Sequence, residues 1–339
     1  MKKIVLCNTE GIDNDVELAY LKQRGLEDYQ VVRITSEDDE ELYSEAEDAD
    51  AVVIVYLQAN EYFFSRLKKC KVLMTQCIGV NNIDLEAATK HKVYVGNVPD
   101  YCVEEVAIHT VSMMLACARK LYAFDRNVKN GEWNPHSAGK IRRISKKVYG
   151  LAAFGNISRK IVELMRPFGV EFVAYDLNVL DEVFEQYGVR RVGTLEALFE
   201  ESDYLSVHIP LLENTKHLID AKVLKHAKPD MILVATGRGG VIDEIALKDK
   251  IIDGTIQSVG IDVIEDEGGE QSPLFGMDQV IMSPHVAYYS EEAIIECREK
   301  VIMQIVEVLE EQKAPTYLVN KEMSFEELLP SLSDGDSLK

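Results

Sequence analysis

Three segments of this chain end in residue types that together could move a proton and a hydride. They are ATGRGGVIDE (235–244), GIDVIEDE (260–267) and SPHVAYYS (283–290). Each reads as a short buried strand with a polar end: Arg238, then a carboxylate of the EDE run (Glu265 or Glu267), then His285. A guanidinium holds a carboxylate through its fork of donors. An imidazole exchanges a proton near neutral pH, and a neighbouring carboxylate orients it and raises its pKa. Delivered by successive strand ends, these groups suit chemistry at a 2-keto or 2-hydroxy acid. A lone arginine is more often a surface residue, but a G-R-G-G strand end is unusual. The other histidines lack such a context: His109, in an apolar helix, reads as a packed core residue, and His208 and His217 as cleft wall.

Strands must position this trio, and the chain is rich in them. One series reads KIVLC (3–7), AVVIVY (51–56), KVLMTQ (71–76) and KVYVGN (92–97). A second reads VYGLAAFG (148–155), EFVAYD (171–176), YLSVHI (204–209), MILVAT (231–236), QSVGID (257–262) and QVIMS (279–283). Near-continuous apolar strands separated by helix-length segments indicate parallel sheets covered on both faces. Residues 102–121 are apolar nearly all round, the pattern of a helix buried between domains or at a subunit interface. Residues 291–311 are amphipathic, with Ser290 as N-cap and two glutamates in the first turn. These helices flank the second series, so the second domain is expected as an insertion. The polar tail after Asn320 is expected to be loosely ordered.

The segment 148–176 has the outline of a dinucleotide fold: strand, tight turn, helix, strand, then an acid. Asp176 stands where a carboxylate accepts ribose hydroxyls, and LNVL (177–180) offers no basic residue for a 2′-phosphate, which favours NAD over NADP. The expected G-x-G-x-x-G reads Ala153-Phe154-Gly155-Asn156-Ile157-Ser158. Gly155, the central glycine that lets the backbone approach a pyrophosphate, remains. Ser158 is small enough for the third position. Ala153 is awkward if the turn needs positive φ, at a cost of ~1 kcal/mol.

With these motifs in order, the chain resembles the D-isomer-specific 2-hydroxyacid dehydrogenases from about residue 50 to 320. GVNNIDLEAA (79–88) looks like the family's substrate loop and NVPDYCVEEVAIHT (97–110) like the start of its first crossing helix. ATGRGGVIDEIAL, DVIEDE and SPHVAYYSEEA resemble its arginine, acidic and histidine signatures; PDYCVEEVA, HVAYYSEEA and LVNKE look closest to the C-terminal-binding-protein-like branch. The resemblance implies Arg238 on the substrate carboxylate, His285 as acid/base and Glu267, rather than Glu265, holding its imidazolium. It implies backbone N–H groups near Ile78 and Gly79 on the carboxylate from the other domain. It implies NAD contacts at Thr110, Asn156, Ile157, Asp176, Ile209, Thr236, Gly237 and Asp262, with Asp262 facing the nicotinamide amide. Arg238 and His285 are counted with the coenzyme contacts as well. Tyr101 and Tyr288 are candidates for substrate packing or for structural roles; Tyr288 favours an aromatic or branched apolar substrate side chain. Ile108, Ala235, Gly268 and Cys77 depart from the usual acid, Asn, Pro and Gly.

The expected fold is therefore α/β, with two doubly wound parallel-sheet domains. A Rossmann-type coenzyme domain (101–288) is inserted into a flavodoxin-like substrate domain (1–100 and 289–339), with closure about the crossing helices. The expected activity is an NAD-dependent 2-ketoacid reductase; the alternative is an NAD(H)-sensing, corepressor-like protein with little turnover. The chain has 339 residues, with 58 Asp+Glu against 37 Lys+Arg and a formal net charge of −21. That balance argues against nucleic-acid and anionic-membrane partners but not against a small anionic substrate. No extra basic residue near Ile78–Asn82 invites a phosphorylated one. Six cysteines without C-x-x-C or zinc-like spacing, and a start (MKKIVLCNTEG) that reads as a strand, suit a cytoplasmic protein. A homodimer through residues 102–135 is expected; Trp133, in a turn, reads as a packing or dimer-contact residue.

Overall fold

The computed structural model describes residues 1–269 and 271–321, so the tail from residue 322 onward lies outside them. The chain divides into two units, Met1–Tyr101 with the segment from Ser290 onward, and Cys102–Tyr289. The first contains β1 (Lys2–Cys7), α1 (Asp15–Gln23), β2 (Tyr29–Ile34), α2 (Asp39–Ala46), β3 (Ala51–Ile54), α3 (Glu61–Arg66), β4 (Val72–Thr75), α4 (Leu85–Lys90) and β5 (Tyr94–Gly96). The second begins with α5 (Val103–Arg119), α6 (Leu121–Lys129), β6 (Val148–Ala152), α7 (Asn156–Met165), β7 (Glu171–Tyr175), α8 (Asp181–Gln186), β8 (Arg190–Arg191) and α9 (Leu195–Glu201). It continues with β9 (Tyr204–Val207), α10 (Ala221–Leu224), β10 (Met231–Ala235), α11 (Glu244–Ile252), β11 (Ile256–Ile261) and β12 (Val280–Met282), after which α12 (Glu291–Leu309) belongs to the first unit.

All strand pairs in both sheets are parallel. The first sheet has the order β2-β1-β3-β4-β5, the flavodoxin-like order. The second has the order β12-β11-β10-β9-β6-β7-β8. Counted from β6 as the first strand, this is the Rossmann order with a seventh strand added. The reason lies in the strands: every residue of β3, β4, β9 and β10 is buried, so helices must cover both faces. At about 1.5–3 kcal/mol for each large aliphatic side chain, that burial is what holds the strand ends in register.

Each apolar helix packs within one unit. Helix α5 lies on β10, β11 and α7, whereas α12 lies on α1 and β4. The Ser290 hydroxyl accepts the Ala293 N–H at 2.9 Å and so caps α12. Arg298 on α12 makes a two-pronged pair with Glu17 on α1 (2.9 and 2.7 Å), and both residues are buried. No helix among the described residues is long and apolar enough to cross a membrane.

Candidate active site

The second sheet ends with β10, β11 and β12 side by side, so the residues that follow them leave from one edge at neighbouring strand spacing. Thr236–Gly237–Arg238 follow β10, Asp262 to Glu267 follow β11, and Ser283–Pro284–His285 follow β12. The trio anticipated from the sequence is thus carried on three adjacent strands of one unit.

His285 Nδ1 lies 2.8 Å from Glu267 Oε2. An ionised carboxylate only accepts, so Nδ1 carries the hydrogen in this pair and Nε2 is the atom left to exchange a proton. Glu265, the other candidate, is engaged elsewhere: its carboxylate meets His217 Nε2 at 2.8 Å and Lys216 Nζ at 3.3 Å. The His217 ring beside it holds the Glu265 carboxyl below the usual range. The geometry therefore distinguishes two acids that residue type alone does not. Tyr288 packs edge-on to the His285 ring, with centroids 6.4 Å apart.

Arg238 sits partly buried, and its Nη1 donates to the Gly237 carbonyl at 2.9 Å. Among the described residues no carboxylate pairs with it, in a chain with a large excess of acids. The G-R-G-G run is explained by crowding: a Cβ at Gly239 would stand 1.7 Å from the Ile264 carbonyl oxygen. Only glycine lets the arginine turn pass the chain leaving β11.

Asp262 is buried and works on the histidine turn. Its carboxylate accepts the N–H groups of Val286 and Ala287, each at 3.0 Å, and the Ser283 hydroxyl at 2.5 Å. Its carbonyl accepts the His285 N–H at 2.7 Å. His285 has φ +51°, a left-handed conformation that a residue with a Cβ adopts only when held there. The resemblance assigned Asp262 to the nicotinamide amide; here its side chain is largely occupied with holding the turn. His109, expected as a packed core residue, is part of the same hydrogen-bonded group: its Nε2 lies 3.0 Å from Ser283 Oγ, and its side chain is 28% exposed.

The residues of the dinucleotide segment fit NAD. Helix α7 starts at Gly155 with no side-chain cap, so its first N–H groups, from Asn156 and Ile157, are open to an anion. A Cβ at Gly155 would meet nothing within 4 Å, which leaves the space over the turn clear for a pyrophosphate. At the end of β7, Asp176 accepts N–H groups from Phe154 (2.8 Å), Asn178 (2.8 Å) and Val179 (3.2 Å). The nearest guanidinium, that of Arg191, donates to the Asp176 carbonyl and pairs with Asp181 at 2.6 Å. Ala153 has φ +77°, so the turn does need the conformation that glycine would supply. Its carbonyl is fixed by the buried Ser158 hydroxyl at 2.7 Å, so the two substituted glycine positions are hydrogen-bonded to each other.

The remaining sites from the sequence fall as follows. The Thr110 hydroxyl on α5 donates to the Val106 carbonyl and lies 2.8 Å from the Thr236 hydroxyl, pinning α5 to the end of β10. Ile209 is buried just beyond β9, and its carbonyl lies 3.4 Å from where a Cβ on Gly237 would stand. Ile78, Gly79 and Tyr101 belong to the first unit. Asn97 Nδ2 donates to the Ile78 carbonyl at 2.6 Å, and Tyr101 is buried. Trp133 is 88% exposed. No group of residues suited to a metal ion occurs among those described.

Two outcomes follow from these local geometries. Ala153→Gly relieves a left-handed alanine, and we expect a gain of about 1 kcal/mol and a Tm rise of roughly 2–4 °C. Calorimetry that finds a lower Tm would show the turn unstrained. His208, next to this edge, has Nε2 3.0 Å from Ser206 Oγ and a buried Nδ1 with no partner. Burial pushes its pKa down to about 4. Between about pH 6.5 and 4 the unfolded chain takes up a proton that the native state refuses, so stability falls as the pH drops through that window. His208→Gln should flatten that part of the urea-denaturation profile against pH; parallel profiles for both proteins would rule His208 out as the cause.

Comparison with known proteins bears on the family. The family model described as D-isomer specific 2-hydroxyacid dehydrogenase, NAD binding domain, matches residues 111–287. A D-3-phosphoglycerate dehydrogenase of Methanocaldococcus jannaschii is 34% identical over 271 residues, 80% of this chain but 52% of that protein. The chain thus spans about half the length of that relative. A glyoxylate reductase of Thermococcus litoralis is 31% identical over 289 residues, covering 83% of this chain and 87% of that protein. Among solved structures, D-lactate dehydrogenase from Aquifex aeolicus, complexed with NAD and lactic acid, shares the fold with a TM-score of 0.79. That match is 24% identical and covers 91% of this chain and 96% of the other. Given this agreement over most of its length, the chain belongs to the D-isomer specific 2-hydroxyacid dehydrogenase family.

Proposed function

We propose that this protein is an NAD-dependent reductase of small 2-keto acids, running in reverse as a D-2-hydroxyacid dehydrogenase. The observation that carries the reading is the Glu267–His285 pair beside an unpaired Arg238 on adjacent strand ends. Arg238 has donors to spare for a carboxylate and for the carbonyl oxygen that gains charge during reduction. His285 Nε2 gives its proton to that oxygen, and Glu267 stabilises the cationic ring before the transfer. Bound NAD supplies or accepts the hydride. The residues we assign to it are Thr110, Gly155, Asn156, Ile157, Asp176, Ile209, Thr236 and Gly237, with Arg238, Asp262 and His285 bordering its reactive end.

The first unit is assigned the substrate-side role, its Ile78–Gly79 turn offering backbone N–H groups suited to a carboxylate. Tyr101 and Tyr288 are assigned to substrate packing. A phosphorylated substrate is disfavoured by the absence of lysine and arginine from residues 78–82. With purified protein, NADH should be oxidised by one or more small 2-keto acids. His285→Ala should lower kcat by roughly 10²–10⁴-fold, and Glu267→Gln by less. Unchanged turnover in His285→Ala would sink the assignment.

The same reading includes a second copy of the chain. Helix α6 buries none of its residues, and Leu121, Val128 and Trp133 are 58%, 44% and 88% exposed. A second copy covering this segment would remove them from water. Sedimentation velocity at micromolar concentration should give twice the 38.2 kDa chain mass; a single monomer species would exclude it.

A further inference from the structure

His109 points to a role that neither its sequence context nor the family assignment provides. It lies on α5, far along the chain from the histidine turn, yet its ring joins the hydrogen bonds that shape that turn. The direction of those bonds can be deduced. The Asp262 carboxylate only accepts, so the Ser283 hydroxyl must give its hydrogen to Asp262 Oδ1. That leaves Ser283 Oγ with lone pairs alone toward the ring 3.0 Å away, so His109 Nε2 must carry a hydrogen. The result is a directed chain from the His109 N–H through the Ser283 O–H to the Asp262 carboxylate. That carboxylate in turn holds the N–H groups of Val286 and Ala287, the two residues after His285, while the Asp262 backbone carbonyl takes the His285 N–H.

We propose that His109 is a positioning residue for His285, acting through Ser283 and Asp262 to hold the catalytic imidazole on its left-handed backbone. It lies 3.7 Å from the nearer Asp262 oxygen, too far to bond that carboxylate directly, and Ser283 bridges the gap. Hydrogen bonds in such a series polarise one another, so removing the outer donor weakens the inner ones. Ser283 is also fixed by its own backbone, whose N–H reaches the Ile261 carbonyl at 2.9 Å. The bridging hydroxyl therefore cannot follow a displaced ring. Helix α5 is itself pinned to the end of β10 through Thr110, the residue next to His109, and Thr236. The geometry of the histidine turn is thus referred to a rigid helix as well as to its own strand.

The proposal rests on His285 being the acid/base group, and its test separates the two claims. In 15N-histidine-labelled protein without coenzyme, the His285 ring signals should shift in His109→Ala and Ser283→Ala but not in a distant control, His91→Ala. In turnover, His109→Ala should lower kcat roughly tenfold or more while leaving NADH affinity within twofold. His109→Gln, whose side-chain N–H can stand near the position of Nε2, should restore most of the loss. His109→Asn, which is too short to reach, should not. A packing role would not rank the two amides in that order. In the Ser283→Ala background, His109→Ala should add no further loss. Unmoved His285 signals with unchanged kcat would overturn the positioning role even if His285→Ala abolishes turnover. If His285→Ala retains turnover while the ring signals still move, the coupling stands and the catalytic reading fails.

Discussion

One buried carboxylate organises the working edge of this protein. The Asp262 carboxylate takes the backbone N–H groups of Val286 and Ala287 and the Ser283 hydroxyl, and its own backbone carbonyl takes the His285 N–H. Without those acceptors the turn would lose hydrogen bonds worth about 0.5–1.5 kcal/mol each, and the N–H of buried Ala287 would be left unpaired. The acid stabilises the structure by satisfying backbone donors, and the His285 ring receives its orientation as a consequence. Side-chain chemistry at the tip therefore depends on main-chain chemistry one strand away.

A second constraint is electrostatic. The chain carries a large excess of acids, yet among the described residues Arg238 has no ion-pair partner and His285 meets one carboxylate. Local pairing produces this sorting: Lys216 and His217 occupy Glu265, and Glu265 and Ser272 occupy the Glu244 carboxylate. Charges that could compete at the site are satisfied close by. The net charge of the molecule therefore says little about the local field at Arg238.

How much of this could be read beforehand followed from the nature of each signal. Fully buried strands such as β3 and β10 announce themselves as unbroken apolar runs, and they defined both sheets. The edge strands β2 (Tyr29–Ile34) and β8 (Arg190–Arg191) escaped notice because one side of each is unpaired and their residues stay half-wet or polar. The three site segments were legible because glycine, proline and charge coincide at strand ends. The function of Asp262 was not, since its partners are backbone N–H groups that residue type does not encode. His109 looked like core because its partner, the Ser283 hydroxyl, lies far along the chain. The mutual hydrogen bond between Ser158 and Ala153 was also hidden: two departures from a glycine pattern looked like two defects, and in space they form one repair.

The carboxylate of Asp176 carries one more implication. In the proposed coenzyme site it would meet its ligand with three backbone donors already attached, so hydrogen-bond acceptance is all it has left to offer. A sugar hydroxyl arriving there brings the hydrogen that the contact requires. A terminal oxygen of a phosphate brings lone pairs and a charge, and finds the same on the other side. Selection at this position is thus made by counting hydrogens, and it does not require the pocket to be too small for the group it rejects.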